Sequence, residues 1–207
     1  MGPVTALMIG ISGGSGSGKS RLAHELAAEI GEDRVSILPF DAYYKDLRHL
    51  SPEERAQVNF DHPDSLDTEM YAHHLDGLRN GLDIALPVYD FAQHRRADDL
   101  VILPARDIVI AEGILLFAFP ELLERFDMTI YRRCSEQLRY ERRLERDTVE
   151  RGRSPESVMR QFAESVAPMH DEFVEPTAAL ADRVVDQGQS LDDVVAEIAA
   201  SVSAIAA

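Results

Sequence analysis

The sequence predicts an α/β fold: a parallel sheet flanked by helices, with a β-hairpin insert and an arginine-rich lid. Three observations predict it. Residues Ala6–Ile11 read as a short, fully buried strand, followed at once by the glycine run Gly13–Ser20 and by a helix whose apolar positions are Leu22, Ala23, Leu26, Ala27 and Ile30. Further apolar runs at Val35–Phe40, Asp107–Ala111, Asp127–Tyr131 and Arg183–Val185 recur between helical stretches, the alternation that builds a parallel sheet. Two β-prone runs between about 84 and 103, joined by a polar, charged turn, read as a hairpin set into that series.

The glycine run carries the first chemistry. Gly13–Ser20 fits G-x-x-x-x-G-K-[ST], and strand, loop and helix in that order form the context of a phosphate-binding P-loop, which makes the sheet one of the P-loop NTPase type. A flexible linker would have neither the strand before it nor the helix after it. Backbone N–H groups of Gly13, Gly14, Ser15, Gly16, Ser17 and Gly18 are expected to converge on phosphate oxygens, which the helix dipole also favours. Lys19 is expected at the β- and γ-phosphates, and the Ser20 hydroxyl on Mg²⁺. The implied ligand is a nucleoside triphosphate.

Composition narrows the partners. The 207 residues suit one domain, 1–207, with room for a substantial core. Twenty-one basic against 37 acidic side chains give a net charge of −16, which speaks against a nucleic-acid backbone as substrate and reads as a solvated acidic surface. The single cysteine, Cys134, excludes an internal disulfide and a cysteine-based zinc site. No secretory signal is read, and no apolar run approaches the ~20 residues of a membrane span. The expected compartment is the cytoplasm, with no membrane partner.

The remaining elements follow in order. The strand Val35–Phe40 ends on Asp41, and ligands of parallel sheets sit at the carboxyl ends of strands, so Asp41 is a catalytic candidate as well as a turn or cap residue. Ser51-Pro-Glu-Glu54 is a helix start with Ser51 as N-cap, Pro52 at the first position and Glu54 closing a capping box. Asn59–Asp67 is too rich in Asp and Pro for a core element; its carboxylates and His62 suit turns and caps better than a metal site. A helix from Asp67 to about Asn80 stops at Gly81. In the hairpin, Tyr89 and His94 take their interest from what surrounds them. Glu112, closing the strand Asp107–Ala111, stands where a Walker-B carboxylate holds Mg²⁺.

A helix from Ser135 to about Glu150 gathers Arg139, Arg142, Arg143 and Arg146, with Arg151 and Arg153 just beyond. About half of these are expected on a solvated face, paired with Glu141, Glu145 and Asp147 at helical spacing, and the rest in a basic lid at about 139–161. Ser154-Pro-Glu156 opens another helix, which Pro168 is expected to kink or interrupt and Pro176 to break. From Ser190 an amphipathic helix runs to the end, with Leu191, Val194, Val195, Ile198, Val202 and Ile205 as its apolar stripe.

A P-loop alone does not choose among kinases, switches and motors. No guanine-reading Asn-Lys-x-Asp and no Asp-x-x-Gly switch occurs in the chain. A compact P-loop domain with an arginine-rich helix and a hairpin fits a small-molecule kinase. Seven stretches in order then resemble the uridine (uridine–cytidine) kinase family: the P-loop, Phe40-Asp-Ala-Tyr-Tyr44, Asn59-Phe-Asp-His-Pro-Asp64, Pro87-Val-Tyr-Asp-Phe91, Glu112-Gly-Ile-Leu-Leu-Phe117, Arg146-Asp-Thr-Val-Glu-Arg-Gly-Arg153 and Pro168-Met-His-Asp-Glu-Phe-Val-Glu-Pro176. The resemblance runs from about Ile9 to Val185, and the Asn59 and Pro87 segments carry most of its specificity.

What the resemblance implies is an enzyme that moves the γ-phosphoryl of ATP, or of GTP, to the 5′-hydroxyl of a pyrimidine ribonucleoside. Asp41 is then the base, and Asp61 holds the ribose hydroxyls beside Phe60 and Tyr44. Tyr89 and His94 read the base; Arg143, Arg146, Arg151 and Arg153 serve phosphates and sugar; Gln161 touches the ribose. Asp41, Ser20 and Glu112 surround Mg²⁺. A homo-oligomer, a tetramer, is implied by the resemblance alone. The chain departs from the family at Tyr131-Arg-Arg-Cys-Ser135, where an Asp-containing turn is usual, and at Asp186-Gln-Gly188, where Pro-Arg-Gly is usual. Two alternatives stand beside this reading: a phosphoribulokinase-like or pantothenate-kinase-like enzyme, which needs no flat pyrimidine pocket, and a nucleotide-binding regulator, which need not retain Asp41, Lys19 and Glu112 together.

Overall fold

The computed structural model describes residues 5–55 and 57–205. Five strands, β1 (Leu7–Ser12), β2 (Val35–Pro39), β5 (Ile108–Gly113), β6 (Met128–Arg133) and β7 (Arg183–Asp186), form one parallel sheet in the order β2-β5-β1-β6-β7. β3 (Ile84–Asp90) and β4 (Arg95–Leu103) form a separate antiparallel hairpin. The helices are α1 (Lys19–Ile30), α2 (Pro52–Arg55), α3 (Thr68–Arg79), α4 (Pro120–Leu123), α5 (Glu136–Val149), α6 (Pro155–Gln161), α7 (Ala167–Met169) and α8 (Leu191–Ile205).

The apolar runs become strands because both sheet faces are covered, so every residue finds a core. Along β1 the side chains alternate: Met8 faces the layer formed by α3 and the hairpin, while Ile9 and Ile11 face α1 and α8. β5 repeats the pattern, with Val109 and Ala111 on the first face and Ile108 and Ile110 on the second. Each large side chain buried this way contributes roughly 1.5–3 kcal/mol before its ordering cost.

Caps fall where the sequence signals them. Ser51 Oγ accepts the Glu54 N–H at 3.3 Å and Glu54 Oε2 accepts the Ser51 N–H at 2.8 Å. Asp67 caps α3 by accepting the Met70 N–H, and His62 accepts the Asp64 N–H, so both are engaged as turn and cap groups.

Three expectations need correction and one, at Pro168, takes a specific form. β4 begins at Arg95, so Asp98 and Asp99 lie inside the strand and the turn shrinks to residues 91–94. Cross-strand pairing of Arg95 with Asp90 and Arg96 with Tyr89 outweighs their poor strand propensity. Pro168 interrupts the regular α-helix, as expected, without ending the helical run: π-turns at Phe162–Val166 and His170–Val174 flank the short α7. Ile205 leaves the α8 stripe and is 53% exposed, whereas Ala199 is buried. Of the pairings expected along α5, those with Asp147 form, from Arg143 and Arg151 at i,i+4, but not on a solvated face: Arg139 and Arg143 are buried, Glu141 accepts from Gln137, and among the described residues no arginine forms an ion pair with Glu141 or Glu145. Residues 206–207 at the end of the last helix lie outside the described residues.

Candidate active site

The register of the sheet assembles the site. Glu112 pairs with Ile11 on one side and Pro39 on the other, so the carboxyl ends of β1, β5 and β2 stand side by side. The P-loop leaves the first, Glu112 sits on the second, and Asp41 follows the third in a 3₁₀ turn, Phe40–Tyr43. All three lie at the carboxyl edge, where parallel sheets bind ligands.

The loop's glycines are required by space and by backbone angle. Gly16 has φ +80°, and a Cβ there would lie 2.5 Å from the Arg139 carbonyl oxygen. At Gly14 a Cβ would lie 2.9 Å from both Arg139 Nη1 and His170 Nδ1. α1 starts with no side-chain cap, and Lys19 is only 8% exposed. Among the described residues no carboxylate forms an ion pair with it. Uncapped N–H groups and a buried, unpaired ammonium fit a polyphosphate.

Ser20 Oγ donates to Glu112 Oε1 at 3.0 Å. Burial pushes the Glu112 carboxyl up, against the pull of Lys19, and the nearby Asp41 pushes it further. Among the described residues no three His, Cys, Asp or Glu side chains form a metal cage. A hydroxyl and one or two carboxylates are the protein share that Mg²⁺ takes when phosphates and water supply the rest, so these residues fit that ion.

Asp61 lies at the far end of the same cleft, nearly buried, and Ser165 Oγ donates to its Oδ2 at 3.2 Å. Its carboxyl is pushed up by burial and held back chiefly by Arg143, whose Nη1 lies 4.0 Å away. Between Asp61 and the P-loop runs a small cleft lined by Ser15, Ile114, Leu115, Val166 and His170.

An aromatic group closes that end. Tyr44 lies 5.5 Å from Phe60 and 5.2 Å from Tyr89, centroid to centroid, and His94 stacks on Phe60 at 4.6 Å and 13°. His94 is the one described non-glycine residue with positive φ, 51°, which turns its ring back over the pocket. The Tyr89 hydroxyl is buried with no partner; burial pushes its pKa up to about 12, and burial also lowers that of His94. The hairpin is held by Arg96, which donates to Tyr44 O at 3.0 Å, to Asp67 Oδ2 at 3.0 Å and to Tyr43 O at 3.4 Å.

α5 lies across the P-loop. Arg143 donates to Ser15 Oγ and to Gln161 Oε1, each at 3.0 Å. Arg142, not singled out from the sequence as a site residue, donates to the Gly16 carbonyl at 3.2 Å. Arg153 donates to Gln161 and Ser157. Arg146 is engaged by Asp147, and Arg151 sits over the Phe91 ring at 4.9 Å, so neither touches the P-loop. Asp147, Ser165 and Asn59 are further members that the sequence did not single out; Asn59 Oδ1 accepts from Ser165 and from the Asp61 N–H. Asn59 and Asp147 stand inside motif stretches without having been given a site role, and Ser165 lies outside all of them.

The comparisons with known proteins come to the same place. Residues 8–194 match the model of the Phosphoribulokinase / Uridine kinase family. The chain is 44% identical over 202 residues to a uridine kinase of Chloroflexus aurantiacus, covering 96% of this chain and 97% of that one. In structure it is similar to a putative fructose transport system kinase from Silicibacter sp. TM1040, with a TM-score of 0.69 at 23% identity over 87% of this chain and 90% of the other. It is also similar to the phosphoribulokinase from Rhodobacter spheroides, with a TM-score of 0.65 at 12% identity over 90% and 74%. At these identities the two structures bear on the fold alone.

Proposed function

The chain belongs to the phosphoribulokinase/uridine kinase family, and from that premise we propose that it is a nucleoside kinase, transferring the γ-phosphoryl of ATP to the 5′-hydroxyl of uridine or cytidine. The observation that carries the acceptor is the aromatic group of Tyr44, Phe60, Tyr89 and His94 beside Asp61, with a buried, unpartnered hydroxyl on Tyr89. Flat faces with one free polar atom suit a heterocycle whose edge needs reading, whereas a sugar phosphate or pantothenate offers nothing to stack. The uridine kinase of Chloroflexus aurantiacus, similar over nearly the whole chain, supports the same choice.

In this reading Asp41 accepts the proton of the 5′-hydroxyl as its oxygen bonds to the γ-phosphorus and the bond from that phosphorus to the β–γ bridging oxygen breaks, releasing ADP, because an alcohol is too weak a nucleophile alone. Asp61 and Gln161 hold the ribose hydroxyls, and Tyr89 and His94 read the base. Lys19 and Arg143 hold the charge of the phosphoryl oxygens, with Arg146, Arg151 and Arg153 closing on phosphates and sugar. Mg²⁺, held among Ser20, Asp41 and Glu112, supplies neutralisation of the phosphate charge when bound. α5, already bonded to the P-loop through Arg143 and Arg142, is the part of the lid that keeps water from replacing the nucleoside as acceptor.

ADP release from ATP–Mg²⁺ with uridine, cytidine, adenosine, ribulose 5-phosphate and pantothenate, each offered separately, tests the proposal. Turnover with uridine or cytidine is expected; activity confined to a non-nucleoside overturns the pocket assignment, and GTP in place of ATP ranks the donors. The proposal extends to a cytoplasmic homo-oligomer, which light scattering on the purified protein tests.

A further inference from the structure

Four lid arginines meet on one carboxylate that has no part in the chemistry above. Asp147, near the end of α5, is fully buried. Arg146 donates to its Oδ1 from Nε and Nη2, at 2.9 and 2.8 Å. Arg151 Nη1 lies 3.6 Å from the same oxygen, and Arg143 Nε and Arg153 Nη1 lie 3.5 and 3.4 Å from Oδ2. The Asp147 carbonyl also accepts the Arg153 N–H at 3.0 Å, which folds the segment after α5 back onto the helix.

Exposure is divided unevenly across this cluster. The carboxylate is sealed, while the side chains of Arg146, Arg151 and Arg153 remain 33%, 35% and 29% exposed. Arg146 commits Nε and Nη2 to Asp147 and keeps Nη1 for an incoming anion, Arg151 stands at ion-pair distance only, and Arg153 is shared with Gln161 and Ser157. Arg143, nearly buried, links the cluster to Ser15 of the P-loop.

We propose that Asp147 is the positioning residue of the lid, the counter-charge that lets four guanidinium groups stand together before any phosphate arrives. Like charges so close repel, and each long side chain must surrender rotamer freedom to meet an anion. A buried carboxylate contacted by all four offsets the repulsion and fixes the orientations in advance, which is what preorganised donors require. Asp147 is also a negative charge competing with phosphate for the same groups, so its removal strengthens the net attraction for an anion while loosening the alignment that turnover needs; a merely structural residue gives no such gain in binding.

Asp147→Asn separates them, being isosteric and uncharged. Pyrophosphate, measured by calorimetry, is expected to bind the variant at least as tightly as wild type at low salt, with a steeper loss as salt is raised. The kcat for nucleoside phosphorylation is expected to fall about 100-fold, since misplacement by about 1 Å costs that much. Weaker pyrophosphate binding, or an unchanged kcat per folded molecule, overturns the proposal. If the variant does not fold, the Nε–H resonances of Arg143 and Arg146 in the nucleotide-free wild-type protein decide instead. Resolved, slowly exchanging signals support the array, and solvent-averaged ones overturn it. Only the kcat arm rests on the kinase reading: wild-type protein inactive on every nucleoside defeats that reading, and pyrophosphate binding still judges Asp147.

Discussion

His170 gives the fold a measurable dependence on pH. The imidazole is 7% exposed behind the P-loop, with Nδ1 unpartnered and Nε2 3.4 Å from Glu175 Oε2. Burial, and then the Arg139 guanidinium, push its pKa down to about 4, against the pull of Glu175 and Asp171. In the unfolded chain the value is about 6.5. A depressed histidine binds fewer protons folded than unfolded, so its contribution to stability is fully present above about pH 6.5 and is lost as pH falls toward 4. Between pH 7.5 and 5 the two values correspond to a factor of about 30 in the folding equilibrium, or about 2 kcal/mol. Other groups titrate in the same window, so the useful quantity is a difference between proteins. His170→Phe keeps the volume and removes the titration. Urea unfolding at pH 7.5 and at pH 5 is expected to show wild type losing about 2 kcal/mol more than the variant over that interval. An equal loss in the two proteins would mean that His170 is hydrated or already protonated at neutral pH, and the burial argument fails.

Other outcomes follow from the site. Asp41→Asn is expected to lower kcat by about 10²–10⁴-fold, the usual worth of a positioned base, while nucleotide binding by calorimetry stays near wild type; near-normal turnover would remove Asp41 from the role of base. Tyr89→Phe deletes a buried hydroxyl that has no partner in the free protein. Thermal stability is therefore expected to hold or to rise by up to about 1 kcal/mol, while KM for the nucleoside rises about 10-fold. Gly16→Ala forces a side chain into φ +80° and to 2.5 Å from the Arg139 carbonyl. A destabilisation of about 3 kcal/mol is expected, together with loss of the ATP-induced rise in melting temperature.

Much of this could be read from residue types, and the parts that could not share a physical cause. Buried apolar runs, the P-loop and the capping box at Ser51 are local signals, each written within a few consecutive residues. The strand order β2-β5-β1-β6-β7 is not, because every central strand is apolar on both faces and none marks its neighbours. The pairing of Asp147 with arginines at helical spacing was legible, but its burial was hidden for a similar reason. In Glu145-Arg146-Asp147 it reads as one more acid in an alternating helix, and only burial separates it from Glu145. Ser165 reaches Asp61 from a π-turn, a geometry with no periodicity of its own to read.

The two segments read from the resemblance as departures, 131–135 and 186–188, lie 51 residues or more apart and look independent in sequence. In the fold they meet. Arg132 Nη1 donates to the Asp186 carbonyl at 2.8 Å, and Gln187 Oε1 accepts the Ser135 N–H at 2.7 Å, just before α5. Arg133 adds a longer ion pair to Asp186 at 3.9 Å. Each departure therefore supplies a hydrogen-bonding partner for the other: a guanidinium for the end of β7, and a side-chain amide for the start of α5. A single replacement such as Gln187→Ala would leave the Ser135 N–H without its amide acceptor. The two segments together form the shoulder on which α5, and with it the lid, is mounted.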